Sequence, residues 1–243
     1  MEVISKKFTS LDAVPILLAA VVGKAVATEL IDPVPEFVNP NFYFTTFDMV
    51  LCFFIGPLFG FLSFLWVKGY YFFEDRFQDL PLPDILKPAV GGLTAGVCGI
   101  FFFEFGIMGV GYEGINNIFM LAARAPATDL LLLLLALGLL KMLATSSTVG
   151  SGGSGGVFAP TLYIGTMFGL AAGMLAEILA PDQIANPLDY GLLGMGALFA
   201  GTAGAPLTCI FMITEMTGNY SGLPSLIICC ITSYTVARIL LKG

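Results

Sequence analysis

The chain of 243 residues contains no histidine, and only 11% of its residues are charged. Without histidine there can be no Ser-His-Asp or Cys-His nucleophile pair, no HExxH zinc site and no haem-ligating histidine. Cations are few and scattered. Ten Lys and Arg stand against seventeen Asp and Glu, a net charge of −7, so no basic stripe is available for nucleic acid. The five cysteines, Cys52, Cys98, Cys209, Cys229 and Cys230, lie in apolar runs with no CxxC pair and no metal-ligand spacing. They read as small buried hydrophobes, and no residue pattern asks for a metal or an organic cofactor.

What the chain has in excess is apolar surface: 57% of residues are hydrophobic and the mean hydropathy is +0.92. Soluble domains are about 45–50% apolar and about a quarter charged, so the sequence implies an all-α integral membrane protein. Apolar stretches long enough to cross a bilayer occupy 13–30, 45–68, 88–108, 128–146, 158–180 and 221–241. Shorter ones at 113–124, 189–202 and 205–217 suit half-helices packed inside protein. Glycine pairs recur within the spans (Gly91, Gly92 and Gly96; Gly165 and Gly169; Gly194 and Gly196), and such small residues let backbones approach closely in lipid. The expected architecture is one transmembrane domain over 1–243, a bundle of tilted, unequal and broken helices as in transporters. Lys6 and Lys7 followed by Val14–Val22 imitate a signal peptide, but Lys24 interrupts the run and further spans follow, which favours a first membrane helix.

Lys6, Lys7, Lys68, Arg76, Lys87, Arg238 and Lys242 fall on one side if the long spans alternate, whereas the segment between the first two spans carries Glu29, Asp32, Glu36 and Asp48 without a cation. The positive-inside bias places both termini and the 69–87 loop in the cytoplasm, with Tyr70, Tyr71, Phe72 and Phe73 as an interfacial belt.

The most informative segment is Gly150-Ser-Gly-Gly-Ser-Gly-Gly-Val-Phe-Ala-Pro160, between two apolar helices. In water such a run would be a linker; here it lies too close to two spans to leave the protein. A helix opening near Phe158 with Pro160 in its first turn leaves the N–H groups of Val157, Phe158 and Ala159 facing out of a positive dipole end. Buried in a membrane protein, that helix start, with Gly156 beside it, is a site for a dehydrated anion. A structural turn whose donors meet neighbouring carbonyls is the plainer reading. Gly152-Gly-Ser-Gly-Gly156 also matches the G-x-S-x-G frame of serine hydrolases, yet Ser154 would have only a lysine as base.

Gly155-Gly-Val-Phe-Ala-Pro160, then Gly194-Met-Gly-Ala-Leu, Gly204-Ala-Pro-Leu-Thr and Thr214-Glu-Met-Thr-Gly-Asn-Tyr220, resemble in order and spacing the CLC chloride channels and chloride/proton antiporters. The resemblance implies the second half of that family's inverted repeat, without its last helix. It also implies chloride bound by backbone amides at Val157, Phe158 and Ala159, and a two-fold homodimer through helices 13–30, 205–217 and 223–241. The family's G-S-G-I-P serine and its gating glutamate in G-[KR]-E-G-P belong to the first half and do not occur here; its pore tyrosine would fall past Gly243. The expected function is therefore chloride transport, with a passive channel, a proton-coupled antiporter half and a non-transporting fragment all open. Glu113 in Gly111-Tyr-Glu-Gly114 imitates the gate motif but lacks its proline.

Lys141 interrupts an otherwise apolar helix 17 residues before Phe158. Three roles fit it: an electrostatic funnel for anions, a partner for helix-end carbonyls, or a side chain snorkelling to the interface. Glu104, Glu177 and Glu215 lie near span ends and read as structural, Glu215 as a carboxylate that either snorkels to the interface or caps the turn at Thr217–Asn219.

Overall fold

The computed structural model describes residues 10–30, 37, 44–181 and 183–242. Among them are nine α-helices, one 3-10 turn and no strand: α1 Ser10–Leu30, α2 Thr46–Gln78, α3 Lys87–Phe101, the turn Phe103–Phe105, α4 Tyr112–Ala122, α5 Ala127–Gly150, α6 Phe158–Leu179, α7 Asp189–Ala203, α8 Pro206–Thr217 and α9 Leu223–Lys242. Four of these, α2, α5, α6 and α9, are long and apolar enough to cross a membrane. Lys6, Lys7, Asp32 and Glu36, which enter the orientation argument, lie outside the described residues.

Local chemistry sets the boundaries. Thr45 and Asp48 form a reciprocal capping box that starts α2, the Thr45 hydroxyl accepting from the Asp48 N–H while the Thr45 N–H donates to the Asp48 carboxylate. Proline stands in the first turn of α3 and α8, and glycines with positive φ close α7 and α8. Two segments differ from the sequence expectation. The helix begun at Thr46 continues through the expected 69–87 loop as far as Gln78, 33 residues or about 50 Å at 1.5 Å per residue. No proline or glycine pair interrupts Tyr70–Gln78, so nothing stops the helix at the bilayer surface. The expected span at 88–108 is in fact a helix of 15 residues, about 22 Å, ended by a break at Phe102–Gly111 that contains three glycines with positive φ.

Glycine drives the packing, as in close-approach membrane interfaces. In the antiparallel pair α6–α7, a Cβ at Gly165 would lie 2.5 Å from the Gly194 oxygen, and one at Gly194 would lie 2.3 Å from the Gly165 oxygen. One at Gly169 would meet the Tyr190 oxygen at 2.2 Å. These backbones touch, which makes α6 and α7 a rigid pair. In the parallel pair α2–α9, Gly56 and Gly60 face Thr232, Ser233 and Val236. Ser63 adds a hydrogen bond from α2 to Leu198 of α7, and Ser233 one from α9 to Ala197. The opposite end of α2 is tied to α7 by the buried Tyr190 hydroxyl, which donates to Asp48 at 2.6 Å. Four of the cysteines, Cys52, Cys209, Cys229 and Cys230, are buried in this core as free thiols, and Cys98 is half-buried. By contrast, every described side chain of α1 from Val14 to Leu30 is exposed. Lys24 on α1 reaches Glu215 on α8, which also accepts from the Tyr220 hydroxyl. Of the two roles open to Glu215, its half-exposed carboxylate follows the interfacial one, bonding Lys24 of α1 and Tyr220 rather than capping the Thr217–Asn219 turn.

Candidate functional site

The glycine-serine segment begins by closing α5. The Gly152 N–H donates to Val149 and the Gly153 N–H to Thr148, the paired bonds of a Schellman motif, with Gly152 at φ +90°. Two neighbours hold this turn. A Cβ at Gly150 would meet the Glu74 backbone at 3.1 Å, and one at Gly91 would strike the Ser147 oxygen at 2.2 Å. The extended end of α2 and the start of α3 thus pack against the residues just before the loop. At this end of the bundle Lys87 donates to the Gln78 oxygen and pairs with Asp84, holding that exposed carboxyl below its ordinary pKa through the hydrogen bond and charge of the ammonium.

The chain then turns into α6, with Val157 as its N-cap residue and no side-chain cap. The first intrahelical bond runs from the Thr161 N–H to the Val157 oxygen. Among the described residues no protein acceptor meets the N–H groups of Gly156, Val157, Phe158 or Ala159. Open donors at a positive dipole end form an anion-receptive surface. The sequence placed this helix start in a buried setting; here Val157 is 39% and Phe158 38% exposed, because no other described element covers that face.

Behind the open face the first turn is braced. The Thr161 hydroxyl donates to the Val157 oxygen at 2.6 Å and accepts from the Trp66 indole N–H at 3.1 Å. Trp66 and Thr161 are both buried, so this contact is shielded from water. The Phe158 ring meets Phe199 of α7 edge-on, with centroids 5.0 Å apart and planes at 85°. Neither motif nor charge in the sequence marks Trp66, Thr161 or Phe199 as part of this site. The one usable signal was Trp66 itself, the single tryptophan of the chain, whose N–H needs a partner when buried.

Lys141 is 1% exposed and therefore does not snorkel. Its ammonium donates to the carbonyls of Gly106, Ile107 and Gly109 at 2.8, 3.0 and 3.0 Å, and it lies 5.0 Å from the centre of the Tyr163 ring. Three donors meet three acceptors, so the cation is fully satisfied without a carboxylate. The Tyr163 hydroxyl donates to the Phe105 oxygen at 2.6 Å. Together α5 and α6 hold the break at residues 102–111, where the carbonyls of Phe105, Gly106, Ile107 and Gly109 are met by the Tyr163 hydroxyl and the Lys141 ammonium. Non-helical backbone within a membrane bundle needs such partners or a cavity. The break also lines an open cavity of about 1140 Å³ with Glu104, Glu113 and Asn117 at its wall. Glu177 lies in the last turn of α6. Ser154 is exposed, and among the described residues no base hydrogen-bonds its hydroxyl. No group of three His, Cys, Asp or Glu suited to a metal ion occurs among the described residues.

A family model for voltage-gated chloride channels matches residues 1–238. A protein of Ralstonia nicotianae described as a ClcB-like chloride channel is 33% identical over 238 residues, 98% of this chain and 54% of its own length. The voltage-gated ClC-type chloride channel ClcB of Escherichia coli is 35% identical over 165 residues, 68% of this chain and 38% of that one. The crystal structure of a slow cyanobacterial Cl-/H+ antiporter superposes with a TM-score of 0.63 at 26% identity, covering 84% of this chain and 47% of the other. The chain thus spans about half the length of the curated relatives it matches. With an all-α bundle, four membrane-length helices and a family match across nearly its whole length, the chain belongs to the voltage-gated chloride channel family.

Proposed function

We propose that the chain forms one wall of a chloride transport path, in which the backbone N–H groups of Gly156, Val157, Phe158 and Ala159 replace part of the ion's hydration shell. The single observation that carries this reading is that these donors are uncapped at the start of α6. Neutral amide dipoles suit a transport site: several together offset dehydration, yet each holds the ion weakly enough for release. The exposure of Val157 and Phe158 fits a path whose other wall comes from further protein facing them. Lys141 adds a fixed positive charge to the same bundle, and its field raises anion occupancy from a distance while its bonds hold the 102–111 break. The distribution of Lys and Arg supports a cytoplasmic location for the ends of α2 and α9, and for the α6 start with them. A homodimer through 13–30, 205–217 and 223–241 is supported by the exposed side chains of α1 and by Leu207, Phe211, Ile231 and Ile239 on α8 and α9.

Trp66 provides the test. It is 2% exposed and hydrogen-bonded one turn inside the amide site, so bulk halide cannot collide with it freely. Bromide titrated into the chain in lipid nanodiscs should quench its emission saturably, with chloride competing. Linear, non-competable quenching would contradict the site. Coupling is a separate question. The similar solved structure is named a Cl-/H+ antiporter and the similar curated proteins are named channels. Proton movement accompanying chloride efflux from liposomes containing the complete transport unit separates these two modes.

A further inference from the structure

We infer that Trp66 is a positioning residue for the anion site, acting through Thr161 and the Val157 carbonyl on the N–H of Phe158; the inference rests on the anion-binding reading above. The bonds run head to tail. The Trp66 indole N–H donates to the Thr161 hydroxyl at 3.1 Å, and that hydroxyl donates to the Val157 oxygen at 2.6 Å. The Val157 oxygen accepts as well from the Thr161 N–H at 3.0 Å. The C=O of Val157 and the N–H of Phe158 belong to one planar peptide unit and point in opposite directions. Anchoring the oxygen inward therefore aims the Phe158 N–H outward, into the open face of the α6 start.

The relay does more than orient. Each bond in an aligned chain polarises the next, and the effect is greatest where water is excluded. Trp66 and Thr161 are 2% and 1% exposed, so the chain runs through dry protein from α2 to the helix start. An indole can only donate, which fixes the direction of the whole relay. A carbonyl drawn on by two donors leaves its own amide N–H more positive, and so a better partner for an anion. Trp66 touches no ion; its effect passes entirely through Thr161.

Chloride binding by calorimetry to the full chain, unmodified and as Trp66→Phe, Thr161→Val, Thr161→Ser and the Trp66→Phe/Thr161→Val double variant, tests the relay. Losing a bond from the chain removes about 10–30% of the strength it lends its neighbour, so Trp66→Phe and Thr161→Val should each weaken chloride by roughly 1.3- to fivefold. The double variant should bind no more weakly than Thr161→Val alone, since both changes cut one path, and Thr161→Ser should retain binding. The Phe158 amide proton, observed by NMR in chloride-saturated protein, should move upfield in Trp66→Phe, a shift that general loosening would not confine to this residue. Unchanged affinity and an unchanged Phe158 amide shift in Trp66→Phe, or fully additive losses in the double variant, would overturn the relay alone. No saturable binding to the unmodified chain would remove the anion site and the relay together.

Discussion

Replacing Lys141 with methionine keeps most of the side-chain volume and removes the charge and three hydrogen bonds. The ammonium serves the carbonyls of Gly106, Ile107 and Gly109, of which the Ile107 contact is fully buried. An orphaned buried polar group costs about 1–3 kcal/mol. Taking about 1 kcal/mol for each carbonyl gives roughly 3 kcal/mol lost, because the stem is retained and the packing term nearly cancels. For a domain of this size about 1 kcal/mol shifts Tm by about 2–4 °C, so Lys141→Met should lower Tm by roughly 6–12 °C. Lys141→Arg should recover only part of this, since a planar guanidinium does not converge on three carbonyls as a tetrahedral ammonium does. The assay is thermal unfolding in one detergent, followed by Trp66 emission, with limited proteolysis reporting opening of the 102–111 break. A Tm for Lys141→Met within 1 °C of the unmodified chain, with the break equally protected, would refute the clamp; the buried lysine would then serve electrostatics alone.

Three further outcomes follow from the same geometry. Phe158→Leu should bind chloride nearly as well as the unmodified chain, whereas Phe158→Pro, which deletes the amide donor, should abolish saturable halide quenching of Trp66; equal loss in both would show that the side chain carries the site. Gly152→Ala forces an L residue to φ +90° and should cost about 1–2 kcal/mol of stability, measured by unfolding, while Gly156→Ala, with open space at its Cβ, should be tolerated. Gly194→Ala drives a methyl to 2.3 Å from the Gly165 backbone oxygen, so it should separate α6 from α7 and lower the yield of folded protein, measured by size-exclusion profile, more than Gly92→Ala, which meets nothing.

Much of the architecture is readable in the sequence because lipid imposes strong rules: span length, glycine spacing and proline at helix starts all act locally. The opening of α6 at Phe158 and the short helix from Pro206 follow from such signals. Two boundaries did not. Tyr70–Gln78 remains helical because helix propensity continues past the membrane edge, where hydropathy no longer informs. The 88–108 stretch breaks at Phe102 although apolar residues continue on both sides of Glu104, because Lys141 and Tyr163, far along the chain, satisfy the freed carbonyls. The braces behind the anion site were hidden for the same reason. Trp66 and Thr161 are 95 residues apart, and neither local pattern nor charge connects them. Phe199 likewise reads as one more apolar residue of a short helix until α7 packs on α6.

Halide held by the amides that open α6 is visible to anomalous scattering. Crystals of the chain grown with bromide, measured at the bromine absorption edge, provide the direct test. An anomalous peak should lie within hydrogen-bonding reach of the backbone nitrogens of Phe158 and Ala159 and diminish when chloride is added. A map with no peak at the α6 start, and bromide instead beside surface lysines, would contradict halide binding by these amides.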